Sequence, residues 1–69
     1  PKIGDDCYIG PGAKIYGDIK IGDNVAIGAN AVVNKSFDSD CTIGGIPATV
    51  IADKGPLEIL KNKRTEINY

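Results

Sequence analysis

Ile3-Gly-Asp-Asp-Cys-Tyr-Ile9-Gly-Pro-Gly-Ala-Lys-Ile15-Tyr-Gly-Asp-Ile-Lys-Ile21-Gly-Asp-Asn-Val-Ala-Ile27-Gly-Ala-Asn-Ala-Val-Val33 decides the fold of this chain. An aliphatic residue recurs at every sixth position, and Gly4, Gly10, Gly22 and Gly28 each follow one of them. Four residues after each aliphatic position comes a second series, mostly small or apolar: Cys7, Ala13, Ile19, Val25, Ala31 and Phe37. A sustained period of six is the pattern of a parallel β-helix, in which every coil stacks on the one before. Helical spacing does not compete, because nothing before Asp53 repeats at three or four.

Three six-residue units make a coil of eighteen, so Ile3–Lys20 reads as one coil and Ile21–Asp38 as the next. Ile3 should then stack on Ile21, Ile9 on Ile27, Ile15 on Val33, Cys7 on Val25 and Ala13 on Ala31. Each pair is apolar on apolar, as an interior requires, and stacked strands lie about 4.8 Å apart. The charged residues Lys2, Lys14, Lys20 and Asp23 avoid the interior positions. Glycines and the pairs Asp5-Asp6, Gly17-Asp18 and Asp23-Asn24 suit the corners, where positive φ or local side-chain hydrogen bonds are needed.

The period fails at Ser39, within a polar excursion around Phe37. Thr42-Ile43 resumes a strand, and Pro47, lacking an amide donor, belongs at an edge or outside the ladder. Asp53-Lys54-Gly55 reads as a turn. Pro56 suits the first position of a helix, Glu58 its positive end, and Lys61, Lys63 and Arg64 its negative end. A short helix over Pro56–Arg64, with Leu57 and Leu60 on one face, is expected to cover the open strand edges of the last coil. The chain thus divides into a β-helix segment over residues 1–51 and a capping turn and helix over residues 52–69.

Sixty-nine residues bury little surface, and two coils are marginal for a solenoid, so oligomerisation and membership of a longer chain are both expected. The N-terminus lacks an initiator Met and the apolar run of a signal peptide. A net charge of −1 gives no basic excess for nucleic acid or anionic membrane, and no apolar run approaches the roughly 20 residues of a span. Two cysteines outside any CxxC pattern, with no histidine, favour a reduced, cytoplasmic protein over a disulfide or zinc site. Cys7 falls in the interior series with no histidine to activate it, so it reads as core. The aspartates lack calcium-loop spacing. Gly12 and Gly17 are spaced as in a phosphate loop, but Asp18 stands where that loop needs lysine.

Four stretches carry a family resemblance: Pro1-Lys-Ile-Gly-Asp, Ile9-Gly-Pro-Gly-Ala-Lys-Ile, Ile21-Gly-Asp-Asn-Val-Ala-Ile-Gly-Ala-Asn-Ala-Val-Val-Asn-Lys and Gly45-Ile-Pro-Ala. From Pro1 to Ile51 the chain resembles the C-terminal part of serine O-acetyltransferases and, more broadly, hexapeptide-repeat acyltransferases acting on sugars and capsular polysaccharides. The resemblance implies an all-β fold, a left-handed parallel β-helix of triangular section with about two coils, assembled as a homotrimer. It also implies acetyl-CoA as substrate, lying between subunits, and a hydroxyl of serine or a sugar as acceptor. The left-handed crossover departs from the usual rule for parallel strands and is not contained in the spacing.

Position by position, the resemblance places Pro11 and Ala29 along the pantetheine arm, Asn34 and Lys35 near the phosphates, and Pro47 and Ala48 against the adenine end. Without it, Pro11 and Ala29 are ordinary corner residues and Lys35 a solvated lysine. Two departures stand out. Thr49 occupies a position that is often basic in these enzymes. The histidine that serves them as base has no counterpart, since it would precede Pro1. A non-catalytic trimerisation module or inactive homologue is therefore the rival reading, and the β-helix tail of a sugar nucleotidyltransferase a third.

Overall fold

The computed structural model describes residues 1–58. Eight short strands follow in order: β1 (Lys2–Ile3), β2 (Tyr8–Ile9), β3 (Lys14–Ile15), β4 (Lys20–Ile21), β5 (Val25–Ile27), β6 (Val32–Val33), β7 (Cys41–Gly44) and β8 (Thr49–Ala52). They form three sheets, ordered β1-β4, β2-β5-β7-β8 and β3-β6, so the chain visits three faces in turn. Every contact between the first six strands is parallel and offset by eighteen: Ile3 pairs with Ile21, Ile9 with Ile27 and Ile15 with Val33. The expected register of the six-spaced isoleucines is the one observed.

Strands this short need a sharp bend between them. Asp6, Asn24 and Asp40, with φ of 59°, 55° and 63°, bend the chain along one edge, while Gly12 and Asn30 (77° and 60°) do so along another. Asp and Asn tolerate this left-handed conformation better than other residues with a Cβ because their short polar side chains bond locally. Along the first edge those bonds are visible: Asp5 N donates to Asp23 Oδ1 at 2.8 Å, and Asn24 Nδ2 to Asp40 Oδ1 at 2.9 Å. Gly10 is needed for a different reason. A Cβ there would lie 2.6 Å from the backbone nitrogen of Ala29 on the next coil.

The interior is Ile21, Val25, Ile27, Ala31, Val33, Cys41, Ile43 and Ala48, with Cys7, Ala13, Ile15, Ile19 and Phe37 packed partly buried against it. Ile21, Ile27 and Ile43 are at most 1 % exposed, and each such side chain contributes about 1.5–3 kcal/mol when removed from water. Ile3 and Ile9, whose inner sides face the N-terminal end of the stack, remain 41 % and 46 % exposed.

The second coil is shorter than expected. Phe37 bridges Ile21, sixteen residues away, and the next strand keeps that offset: Val25 pairs with Cys41 and Ile27 with Ile43. The period therefore breaks between Val33 and Phe37, not at Ser39. Two hydroxyls accommodate the shortened return: Ser36 Oγ accepts from Lys20 N at 2.9 Å and Ser39 Oγ from Asp23 N at 2.8 Å.

After β7 the chain turns through residues 45–48, where the Ile46–Pro47 peptide is cis, and returns as β8, antiparallel to β7. Pro47 leaves the ladder as its missing donor requires. The exposed edge of β7 is thus paired by a strand, where the sequence had suggested helical cover. The chain becomes helical at residues 56–58; the remainder of the expected helix, including Leu60, Lys61, Lys63 and Arg64, lies outside the described residues. Thr42 Oγ1 donates to Lys54 O at 2.6 Å, and Gly55 and Pro56 are buried, which ties this segment to the second coil.

Candidate functional site

Pro11 and Ala29 occupy equivalent places on successive coils. Each follows an Ile-Gly step, and each sits in a turn closed by the same bond: Ala13 N to Gly10 O at 3.3 Å and Ala31 N to Gly28 O at 3.2 Å. Asn30 N donates to Pro11 O at 3.0 Å, joining the two turns directly. Both residues are exposed and point outward from the edge between the β2-β5-β7 and β3-β6 faces.

The same edge continues on the next coil through Gly44 and Gly45, which the sequence reading did not count among the site residues. Gly28 N donates to Ile43 O at 2.8 Å and Val32 N to Gly45 O at 3.0 Å, so Gly44-Gly45 follow Gly28-Ala29. The signal was present, since Ile43-Gly44 repeats Ile9-Gly10 and Ile27-Gly28. Pro47 is exposed just beyond. Pro11, Ala29, Gly45 and Pro47 therefore form one outward ladder of small or compact residues, along which a long, thin ligand can approach the backbone closely.

Ala48 does not present its side chain there. It is 1 % exposed and packed in the core, and its nitrogen donates to Val32 O at 2.8 Å. Asn34 and Lys35 are exposed but follow β6, on the edge at the far side of the β3-β6 face. The Lys35 ammonium lies 5.5 Å from the centroid of the Phe37 ring, a cation–π contact that turns it toward the shortened coil. On the nearer side, Lys14 Nζ donates to Gly12 O at 2.7 Å, placing a second cation beside the Pro11 turn.

Neither thiol is arranged as a nucleophile. Cys7 Sγ donates to Gly22 O at 3.2 Å within the stack. Burial pushes the Cys41 thiol above its ordinary value, and the carboxylates of Asp38, Asp40 and Asp53 push it further, so it stays protonated. Among the described residues no group of three or more metal-binding side chains converges, and no helix is long and apolar enough to cross a membrane. What the edge offers is shape and backbone access; it contains no base.

Comparison with known proteins bears on the family and the fold. Residues 1–35 match the family model for the bacterial transferase hexapeptide (six repeats). Over 55 residues the chain is 47 % identical to a serine acetyltransferase of Synechococcus elongatus and 49 % identical to one of Staphylococcus aureus, covering 80 % of this chain and 22 % and 26 % of theirs. The crystal structure of serine acetyltransferase from Brucella abortus strain S19 superposes with a TM-score of 0.77 at 44 % identity, covering 80 % of this chain and 22 % of that one. The chain thus spans about a quarter of the length of these relatives. The repeat match and the structural likeness support a left-handed β-helix. With six-spaced aliphatics observed as stacked parallel strands and the family model matching half its length, the chain belongs to the bacterial transferase hexapeptide family.

Proposed function

We propose that this chain is the acetyl-CoA-binding part of an O-acetyltransferase of the serine acetyltransferase type. The observation that carries the reading is the ladder Pro11–Ala29–Gly45–Pro47, along an edge where the Pro11 and Ala29 turns are closed by the same bond. Acetyl-CoA would lie along it with the pantetheine arm over Pro11 and Ala29. The adenine end would meet Pro47, with the buried Ala48 anchoring that turn from the core side. One edge is convex, so a homotrimer in which a neighbouring subunit supplies the other wall completes the groove. Asn34 and Lys35 would serve the phosphates from the far edge, which requires the Lys35 ammonium to leave the Phe37 ring.

In the reaction the acceptor hydroxyl oxygen attacks the thioester carbonyl, the C–S bond breaks, and the proton taken from the hydroxyl ends on the departing thiol. A base must move that proton. The chain has no histidine, so the base would come from elsewhere in the assembled enzyme. Serine is the first acceptor to test and sugars the second. A cytoplasmic setting, where acetyl-CoA is made and used, completes the proposal.

A second reading, a trimerisation module or inactive homologue, is favoured by that missing base and by Thr49, where a basic residue would meet a phosphate. Incubating the intact protein with acetyl-CoA and candidate acceptors, and following free thiol, tests the enzyme reading. Thiol release that depends on serine or a sugar supports it. A folded trimer that releases none with any of them sinks it.

A further inference from the structure

The β1-β4 face carries a feature that the acetyl-CoA reading does not use. Lys2 and Lys20 are paired in register on adjacent parallel strands, both on the outward side because Ile3 and Ile21 turn inward. Stacked strands put such side chains about 4.8 Å apart at their bases, and like charges placed directly opposite destabilise a sheet. The two lysines share a concavity of about 460 Å³ with Asp18, Ile19, Ser36 and Pro1.

Ser36 supplies the second observation. Its Oγ accepts from Lys20 N at 2.9 Å, and a hydroxyl whose oxygen accepts in this way keeps its own proton to donate. Ser36 lines the same concavity as Lys2 and Lys20. Two lysines and a hydroxyl donor lining one shallow trough suit a tetrahedral oxyanion. Among the described residues Asp18 is the one carboxylate that lines it and opposes the charge; Asp23 and Asp38 line the neighbouring concavities toward Ser39.

We infer that the trough between Lys2, Lys20 and Ser36 binds a phosphate group, separately from the Pro11–Ala29 edge. The site lies on the β1-β4 face, whereas Pro11 and Ala29 lie on the edge between the other two faces. An anion seated there removes the repulsion between the stacked ammonium groups and so stabilises the first two coils against each other.

Equilibrium dialysis of the intact protein with radiolabelled orthophosphate at constant ionic strength tests this. Saturable binding of one phosphate per chain is expected. Lys20→Gln and Lys2→Gln should each weaken it by about tenfold, the effect of one lost charge-assisted bond. Asp18→Asn should tighten it by about threefold through the repulsion it removes. Lys35→Gln should leave it unchanged, as should saturating coenzyme A. Absence of saturable binding at millimolar phosphate overturns the site, and so does binding that survives both Lys2→Gln and Lys20→Gln. Loss in Lys35→Gln or displacement by coenzyme A would mean that the phosphate occupies a coenzyme site elsewhere, which also overturns it.

Discussion

Asn24 Oδ1 accepts the backbone N–H of Leu57 at 3.0 Å, thirty-three residues away in sequence. Leu57 lies in the helical turn at 56–58, whose first amides have no partner within the helix. Asn24 therefore acts as a cap delivered from the β-helix, while its Nδ2 bonds Asp40 and its backbone holds a φ of 55°. One residue shapes the corner, joins two coils and anchors the segment that follows them.

Substituting Asn24 separates these roles. Asn24→Ala loses both side-chain bonds and puts a Cβ-bearing residue without local bonding into the left-handed region, for about 2–4 kcal/mol. Asn24→Gly loses the bonds but keeps the backbone freedom, and should destabilise by about 1–2 kcal/mol less. Urea midpoints of the two variants give the comparison. Equal losses would show that the backbone conformation contributes nothing.

Gly10 and Gly28 hold the same place in the repeat but differ in the space around them. A Cβ at Gly10 would meet Ala29 N at 2.6 Å, whereas at Gly28 the nearest atom is Ile43 O at 3.5 Å. Gly10→Ala must push two coils apart and should destabilise by about 1–3 kcal/mol, while Gly28→Ala should stay within about 0.5 kcal/mol of the parent. Thermal unfolding of both variants under one set of conditions checks the difference, and a Gly28→Ala variant as damaged as Gly10→Ala would contradict it.

Much of this architecture is legible in the sequence because its interior positions are apolar and its corners are not. Ile3, Ile9 and Ile15 have a single apolar register against Ile21, Ile27 and Val33, and that register forms. Phe37 was ambiguous, being apolar and equally acceptable over Ile19 or Ile21. The deciding features are Ser36 and Ser39, whose hydroxyls accept backbone donors only when the return is two residues short. The reversal into β8 was also hidden, since Thr49-Val-Ile-Ala reads alike as a parallel or an antiparallel strand.

At the site, the stacking of Pro11 and Ala29 on successive coils was legible from their spacing of eighteen, while the role proposed for them came from the family resemblance. Gly45 was legible in principle through the repeated Ile-Gly step. The burial of Ala48 was not, because alanine suits a core and a surface equally. The position of the Lys35 ammonium depends on the shortened coil that brings Phe37 beneath it.

Cys41 predicts a pH dependence with a definite sign. Its thiol titrates higher in the folded chain than the ordinary value of about 8.5. Between those two values the folded state retains a proton that the unfolded state has released, so stability falls as pH rises above about 8.5. Cys41→Ala should flatten this part of the profile of unfolding free energy between pH 8 and 10, although it lowers overall stability by opening space beside Val25. An unchanged slope in that variant would assign the effect to other groups. The folded thiol should also resist iodoacetamide at pH 8 and react only on unfolding.

The most direct test of the central claim is calorimetric titration of the intact protein with coenzyme A, in parent, Ala29→Leu and Lys35→Gln forms. The account predicts a saturable heat for the parent, about tenfold weaker binding for Ala29→Leu with an unchanged unfolding temperature, and weaker binding for Lys35→Gln through a lost phosphate contact. No saturable heat in the parent, or undiminished binding in Ala29→Leu, would contradict it.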